Sequence, residues 1–321
     1  MSHPPRVQFP GGRRFAFSVF DDTDNGTVAN LSPVYDLLWD TRVLTTKSVW
    51  VYSPRGPFSG QSLMDDDYLD FILKLRSQGF EIALHDVGDG AFTRQEIAEG
   101  LEIFRRKIGE YPRLYANHVG NPSNLYWRHE RFVFPMNGLY RLATTGLRPG
   151  KWRSRRSLGS QPQSMHFWGD LAKQHITYMR NLLFNNINTL ACDPRMPYPI
   201  GRKAQYANLW FSSSDGHTVE ELTDLLAPGN LDRLEDEAGA CIVYTHFASG
   251  FVGCDGQVVR RFRKAIEDLA SRNGWFVPVG TLLDHLRASH AGDADPGYWY
   301  ELALDLRWLA DRIVKRIRYG R

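Results

Sequence analysis

Carboxylate and imidazole side chains recur in this sequence directly after short apolar segments. They are Asp21 with Asp22, His85 with Asp89, His118, Asp215 and His246. Side chains of these types bind divalent metals such as zinc, and they also serve as general bases and general acids. Taken singly, each has an ordinary structural explanation, such as a turn or a helix cap. Their shared position after successive apolar segments predicts a metal-dependent catalytic site.

The apolar segments that precede these side chains have the length and composition of buried strands. We predict strands over 15–20, 48–52, 80–84, 113–116, 208–212, 240–244 and 275–279. Helical patterns lie between most of them, over 32–39, 64–78, 93–108, 258–272 and 281–288. Alternating strands and helices imply a parallel sheet with right-handed crossovers. In such sheets the chemistry lies at the carboxyl ends of the strands, where all five groups fall.

The overall composition is that of an ordinary globular protein. Of 321 residues, 42% are hydrophobic and 23% are charged. The formal net charge is +3, and residues 301–321 account for all of it with six basic and three acidic side chains. The neutral remainder argues against a nucleic-acid partner. The sequence has no apolar run of membrane-spanning length and no signal-peptide pattern, so we expect a cytoplasmic protein.

Six segments resemble, in order, the motifs of the polysaccharide deacetylase family, also called carbohydrate esterase family 4. They are FSVFDDTDNGT (17–27), GFEIALHDVGD (79–89), LYANHVGN (114–121), LWFSSSDGHTVEEL (209–222), CIVYTHFASG (241–250) and GWFVPVGTLLDHL (274–286). The resemblance extends over roughly residues 13–288 and is weakest over 122–205. The ordered set carries it, since each motif alone is a weak signal.

This resemblance implies an α/β fold, a distorted (β/α)7-type barrel in a single domain. The barrel domain would cover residues 1–290, with an irregular insertion over 122–205. Residues 291–321 would form a linker and a basic amphipathic C-terminal helix. Over 298–321, apolar side chains recur at helical spacing: Leu302, Leu306, Leu309, Ile313 and Ile317. This helix would either pack on the barrel or contact an anionic membrane surface or a partner protein.

Two motifs depart from the family pattern and leave the metal ligands open. The second His of the family's second motif falls on Asp89, and Asn117-His118 replaces the Arg-Pro of the third. The favoured ligand set is Asp22, His85 and His118, which keeps two imidazoles and one carboxylate. The rival set is Asp22, His85 and Asp89, which would favour a harder metal. The resemblance implies zinc, with nickel, cobalt and manganese as alternatives.

The resemblance also implies a role for each remaining side chain. Asp21 would be the general base that takes a proton from a metal-bound water, and His246 would be the general acid that protonates the leaving amine. Asp215 would orient His246, or else cap the helix that follows it. The implied activity is the removal of an N-acyl group, in the first place acetyl, from a sugar or a glycan precursor.

Two further functions fit the same residues. A non-catalytic carbohydrate-binding barrel with a decayed metal site is the main alternative, because two motifs have changed. Another keeps the metal and cleaves a different bond, such as a formamide or a glycosidic linkage. In each case aromatic side chains would stack on sugar rings, and the candidates are Trp127, Trp152, Trp168 and Trp210.

Overall fold

A closed parallel barrel forms the centre of the computed structural model, which describes residues 7–145, 157–289 and 294–320. Its strands are β1 (Phe15–Asp21), β2 (Thr46–Val49), β3 (Glu81–Leu84), β4 (Leu114–Tyr115), β5 (Tyr178–Phe184), β6 (Leu209–Asp215), β7 (Ala240–Thr245) and β8 (Gly274–Phe276). Strands β1 to β7 neighbour one another in chain order, and β1 pairs with both β2 and β7. The predicted seven-stranded α/β barrel is therefore confirmed.

Strand β1 joins β2 only near its carboxyl end. Phe20 and Asp21 pair with Thr46 and Lys47, whereas residues 15–17 pair with β8. Every residue of β1 is buried. The barrel is thus closed by β1 and β2 at the mouth where the catalytic groups are expected, and β8 takes up the edge of β1 at the opposite end.

Helices surround the barrel and follow most of its strands. They are α1 (Val28–Asp40), α2 (Asp66–Ser77), α3 (Arg94–Ile108), α4 (Met136–Thr145), α5 (Gly169–His175), α6 (Thr189–Cys192), α7 (Val219–Leu225), α8 (Pro228–Asp236), α9 (Arg260–Ala270), α10 (Val279–Ser289) and α11 (Tyr298–Tyr319). Thr93 and Glu96 form the predicted capping box at the start of α3. Thr27 and Asn30 form a second one at α1, which begins four residues earlier than predicted.

The region 122–205, expected to be irregular, contributes a complete barrel strand. Strand β5 pairs with β4 and with β6. Its sequence, YMRNLLF, hides the strand because two polar side chains, Arg180 and Asn181, interrupt the apolar run. The register between β5 and β6 shifts between Arg180 and Leu183. Such bulges re-aim side chains and are common beside active sites.

The C-terminal helix α11 lies on the barrel with its polar side. Asp305 accepts the backbone N–H of Val133 at 2.8 Å, and Lys315 donates to Asp215 at 2.9 Å and to Glu221 at 2.8 Å. The apolar stripe that the sequence shows instead faces outward, with Leu306, Leu309, Ile313 and Ile317 exposed. No helix in the described ranges is both long and apolar enough to cross a membrane.

Candidate metal centre and catalytic cavity

Three buried side chains meet at the carboxyl-terminal mouth of the barrel. Asp24, His85 and His118 each offer a ligand atom, and these atoms lie within 4.8 Å of one another. The Asp24 carboxylate is central: its Oδ1 lies 3.0 Å from Nε2 of His118 and 3.4 Å from Nε2 of His85. Burial alone would raise the pKa of Asp24, but hydrogen bonds from His118, His246 and His85 outweigh it and hold that pKa well below its usual range.

The four residues after Phe20 send their side chains in two directions as the chain leaves β1 and enters the turn that begins at Thr23. Asp22 and Asp24 point toward the cavity. Asp21 and Thr23 point away from it, to the hydroxyls of Tyr35 at 2.9 Å and Tyr68 at 3.0 Å. The adjacent pair Asp21-Asp22 therefore cannot act as one unit at the mouth.

Asp22 is held by Arg180 rather than grouped with the two imidazoles. Nη1 and Nη2 of Arg180 donate to the two carboxylate oxygens at 2.8 and 2.7 Å. The Asp22 carboxylate also lies 3.6 Å from Nε2 of His85. Burial would raise its pKa, yet the Arg180 guanidinium and then His85 keep the pKa of Asp22 below its usual value. Asp22 is thus an ionised carboxylate at the edge of the Asp24 group.

Asp21, expected to be the general base, is enclosed. Its carboxylate accepts the Phe247 backbone N–H at 2.8 Å and the Tyr35 hydroxyl at 2.9 Å, and it lies 3.1 Å from Nζ of Lys47. Both Asp21 and Lys47 are fully buried, and Asp21 is not among the cavity-lining residues. Burial raises the pKa of Asp21 against the opposing effect of Lys47. These contacts join β1, β2 and the segment after β7.

The two imidazoles of the group have the orientation of metal ligands. Nδ1 of His85 lies 3.2 Å from the Ala116 carbonyl oxygen, which can only accept a hydrogen bond, so Nδ1 is the donor there and Nε2 is the nitrogen that faces Asp24. His118 presents Nε2 to Asp24, and its Nδ1 has no hydrogen-bond partner and lies 3.7 Å from Asp89. One carboxylate and two imidazoles match the donor set of a catalytic zinc site, so these residues fit a divalent metal.

Asp89, the alternative third ligand, lies behind His118 and outside the Asp24 group. Its carboxylate accepts the backbone N–H of Phe58 at 2.8 Å. A carboxylate beside the outer nitrogen of a ligating imidazole orients that ring and raises its basicity. Asp89 lies on this outer side of His118, 3.7 Å from Nδ1 and not hydrogen-bonded to it.

His246 reaches the site from the end of β7, but Asp215 does not contact it. Nε2 of His246 lies 3.1 Å from Oδ2 of Asp24. Asp215 instead binds α11, through Arg312 at 2.5 Å and Lys315 at 2.9 Å, and these cations keep its pKa below the usual value although burial acts to raise it. The helix that follows Asp215 is capped by Thr218, not by Asp215.

A cavity of about 210 Å³ opens onto these residues. Asp22, Asp24, His85 and His246 lie on its inner wall, and α11 closes another side with Trp308 and Arg312. Of the tryptophans proposed for sugar stacking, Trp127 lines the cavity, while Trp168 and Trp210 are fully buried in the core. Trp152 lies outside the described residues.

Sequence reasoning missed two important members of this site. Asp24 could have been found from its spacing, because a side chain two residues after Asp22 shares its face on an extended chain. Arg180 left no comparable signal, since a single arginine in an apolar run more often marks a surface position. Its role appears only when β5 is placed opposite β1.

No protein-family model and no curated protein sequence matches the chain. Among solved structures, the chain is similar to peptidoglycan deacetylase PdaC from Bacillus subtilis, at 12% identity over 90% of this chain and 95% of that chain, with a TM-score of 0.37. It is also similar to a family 4 acetyl xylan esterase from Clostridium thermocellum in complex with a cobalt ion, at 12% identity over 88% of this chain and 99% of that chain, with a TM-score of 0.39. A third similar structure is a mutant of BA3943, a family 4 pseudoenzyme with restored activity, at 10% identity over 88% of this chain and 70% of that chain, with a TM-score of 0.37.

Proposed function

We propose that this protein is a metal-dependent hydrolase that removes an N-acyl group, in the first place acetyl, from a carbohydrate. The observation that carries the proposal is the convergence of Asp24, His85 and His118 at the base of a cavity that Asp22 and His246 also line. A ligand triad, a separate ionised carboxylate and a separate imidazole are the parts that such a hydrolysis requires.

Asp24, His85 and His118 would hold the metal, preferably zinc, with Asp24 taking the place first expected for Asp22. A bound divalent cation supplies Lewis-acid chemistry: it polarises the acyl carbonyl and makes water a better nucleophile. The Ala116 carbonyl holds the ring of His85 in place, and the Asp89 carboxylate lies 3.7 Å from Nδ1 of His118.

Asp22 is our proposed general base, in place of Asp21. It lines the cavity, whereas Asp21 is fully buried in the barrel wall and does not line the cavity. Arg180 keeps Asp22 ionised and fixes the plane of its carboxylate through two hydrogen bonds. An ionised, oriented carboxylate at this position can accept the proton of the attacking water.

His246 is our proposed general acid. Its Nε2 faces the cavity beside Asp24, and His217 packs against the ring with centroids 4.6 Å apart. A protonated Nε2 would donate to the leaving amine, as amide cleavage requires. Asp215 is then a structural residue that anchors α11, and not the partner of His246.

The proposal is tested by metal content and acetate release. The purified protein, loaded with zinc, is incubated with a panel of N-acetylated sugars and short N-acetylated glycans. We expect one bound metal per chain and release of acetate, with Asp22→Asn retaining the metal and losing at least ~10²-fold in turnover. Asp67→Asn, an exposed acidic position on α2, is the matched control and should behave as wild type.

A protein that binds no metal after zinc loading would overturn the proposal. If such a protein still bound sugars, the sugar-binding barrel would replace it. Metal-dependent release of a different acyl group, or cleavage of another bond in the same panel, would keep the metal site and change the substrate. Full activity in Asp22→Asn would return the role of general base to Asp21.

A further inference from the structure

One cation in the cavity has no part in the proposed mechanism. Arg131 is 8% exposed and lines the same cavity as Asp22 and His246. Its guanidinium carbon lies 4.2 Å from the ring centroid of Trp127 and 5.6 Å from that of Trp308. The Phe132 ring lies 5.2 Å from it, so three aromatic side chains surround the cation next to the reactive groups.

The other two arginines of the cavity have carboxylate partners, whereas Arg131 has none. Arg180 is paired with Asp22, and Arg312 with Asp215. No ion pair within the described part of the chain involves Arg131. A buried cation without a counter-ion is unfavourable, so an uncompensated one in a cavity needs an explanation.

The hydrogen-bonding capacity of Arg131 is also largely unused. Its Nη1 lies 3.5 Å from the carbonyl oxygen of Asn181, and its Nε has no hydrogen-bond partner. Asp305, the acid that acts on Arg131 from α11, accepts the backbone N–H of Val133 instead. Burial, assisted by Arg312 and Arg180, lowers the pKa of Arg131 to about 10, so the side chain stays charged at neutral pH.

We propose that Arg131 forms an anion subsite, and that the substrate of this cavity carries a carboxylate or phosphate group beside the acylated position. The inference rests on the proposed function for the sugar part of the ligand. The anionic part rests on Arg131 alone. A planar guanidinium can bind two oxygens of either group at once, and it does so best where water is excluded. Trp127 and Trp308 provide flat surfaces beside it for the sugar ring.

Calorimetric titration of the zinc-loaded protein tests the subsite without turnover. The probes are methyl β-D-glucuronide, methyl β-D-glucoside and glucose 1-phosphate. We expect the uronide or the phosphate to bind at least ~10-fold more tightly than the neutral glucoside, because a hydrogen bond to a charged group is worth about that factor. Whichever of the two binds more tightly identifies the anion.

Arg131→Gln should abolish this preference and leave binding of the neutral glucoside unchanged. The matched control is Arg55→Gln. Arg55 is exposed and does not line the cavity, so this variant should keep the preference. Thermal unfolding checks the fold. Arg131→Gln is expected to unfold at or above the wild-type temperature, since it removes an uncompensated buried charge.

Equal binding of all three probes by wild type would overturn the subsite, as would an unchanged preference in Arg131→Gln. Failure of the proposed hydrolase has a different signature, namely no acetate release while the anion preference persists. If Arg131→Gln does not fold, wild type alone decides: methyl β-D-glucuronide or glucose 1-phosphate should raise its melting temperature more than the neutral glucoside at equal concentration and ionic strength.

A second, independent observation concerns the outer side of α11. Leu306, Leu309, Ile313 and Ile317 form an exposed apolar stripe, and Ile317 is 81% exposed. Trp299, near the start of the helix, is 78% exposed. Contiguous exposed apolar surface of this kind marks a contact with another molecule or with a membrane.

Most charged side chains of α11 bind the barrel, and these include the cations Arg312, Lys315 and Arg318. Its three acids all accept hydrogen bonds on the barrel side: Glu301 from Arg202, Asp305 from Val133 and Asp311 from Asn185. Beside the outward stripe, Arg316 is exposed, whereas Arg307 is partly exposed and donates to the Ala191 carbonyl oxygen at 3.4 Å. The outer side is therefore apolar with the cation of Arg316 at its edge, which complements an anionic lipid surface.

We infer that α11 lies flat on an anionic membrane surface through this stripe. Co-sedimentation of the protein with lipid vesicles tests this inference. The vesicles are phosphatidylcholine with or without ~30 mol % phosphatidylglycerol, which is enough to give a negative surface potential. We expect wild type to bind the anionic vesicles and Ile313→Ser/Ile317→Ser to bind them at least ~10-fold less. Met64→Ser, at an exposed apolar position away from α11, should bind as wild type.

Three outcomes would overturn this inference. Wild type could fail to bind, or could bind neutral and anionic vesicles equally. It could also be a dimer by light scattering that Ile313→Ser/Ile317→Ser converts to a monomer. In that last case the stripe is the contact between two copies of the chain.

Discussion

Asp24 is positioned by three imidazoles whose Nε2 atoms approach one carboxylate. His118, His246 and His85 lie at 3.0, 3.1 and 3.4 Å from it. Asp22, two residues earlier, is bound by Arg180 instead. Two carboxylates on one face of an extended segment thus have different partners, and different partners suit them to different roles.

Single substitutions distinguish the proposed metal ligand Asp24 from the neighbouring carboxylates Asp89 and Asp22. Asp24→Asn should reduce bound zinc from one per chain to near zero, because it removes the anionic ligand. Asp89→Asn should still bind zinc, with affinity reduced at most ~10–100-fold, because it alters only the orientation of His118. Zinc titration followed by elemental analysis measures both. Equal loss of zinc in the two variants, or greater loss in Asp22→Asn than in Asp24→Asn, would contradict the assignment.

The second prediction concerns the buried pair of Arg180 and Asp22. Arg180→Met should cost ~3–5 kcal/mol of unfolding free energy, because it leaves a buried carboxylate without its partner. The unpaired Asp22 would take up a proton more readily, so turnover should fall while zinc remains bound. The double variant Arg180→Met/Asp22→Asn should regain stability and stay inactive. Urea unfolding and acetate release provide the two readouts, and a stable, active Arg180→Met would refute this account.

At the scale of elements, α11 is anchored by ionic contacts near the mouth of the barrel. Lys315 joins Asp215 at the end of β6 to Glu221 in α7, and Arg312 adds a second cation to Asp215. The same helix supplies Trp308 to the cavity wall. A change in the docking of α11 would therefore alter the cavity wall without displacing the proposed metal ligands.

Lys315→Met should destabilise the protein by ~3–5 kcal/mol, since it leaves buried carboxylates at Asp215 and Glu221 undercompensated. The adjacent Arg316→Met changes an exposed cation and should alter stability by less than ~0.5 kcal/mol. Urea unfolding compares the two variants. Similar stability for both would show that α11 is not held by this contact.

We expect the docking of α11 to depend on pH because the pKa of the buried Asp305 carboxyl is raised. Burial raises the pKa of Asp305 from its usual value near 4 to about 6, although the Val133 N–H acts to lower it. A carboxyl whose folded pKa is raised contributes stability that is complete below its unfolded pKa and is lost as pH rises through the folded pKa. The loss should therefore occur between about pH 4 and 6, and two pKa units correspond to at most ~3 kcal/mol.

Asp305→Asn keeps an acceptor for Val133 and removes the charge. We expect it to unfold at a higher temperature than wild type at pH 7 and to lose part of the decline in melting temperature between pH 4 and 7. Melting curves at a series of pH values measure both effects. A variant that follows the wild-type curve at every pH would exclude Asp305 as the titrating group.

At the scale of the whole molecule, the proposed ligands come from three separate segments of the chain. Asp24 follows β1, His85 follows β3 and His118 follows β4. A metal bound only in the folded state would therefore join distant parts of the barrel. Such binding stabilises the fold by about 2.7 kcal/mol when free metal exceeds its dissociation constant ~100-fold.

Chelation should accordingly lower the melting temperature of the whole protein, and added zinc should restore it. Asp24→Asn should show no response to either treatment, because it lacks the site. Calorimetry at fixed protein concentration makes the comparison. A melting temperature that is insensitive to chelator in zinc-loaded wild type would argue against a metal that bridges β1, β3 and β4.

The alternation of strand and helix patterns in the sequence predicted a parallel sheet and the strand ends that carry chemistry, and the family resemblance predicted the barrel. Apolar runs followed by His85, His118 and His246 predicted these positions, because strand periodicity and helix caps are local properties. The sequence pattern did not reveal β5, because the polar side chains of Arg180 and Asn181, which face the cavity, interrupt its apolar run. Residues chosen for a site weaken the very pattern that identifies their strand.

The partner of each charged side chain depends on tertiary contacts that the sequence does not show. Asp21, Asp22 and Asp24 are close in sequence, but Lys47, Arg180 and the imidazoles reach them from different strands, and Arg180 is 158 residues away from Asp22. The orientation of α11 depends on such contacts as well. Its charged residues bind partners on the barrel, and its apolar stripe is therefore exposed. Periodicity is read along the chain, whereas ion pairs and burial depend on which elements meet in space.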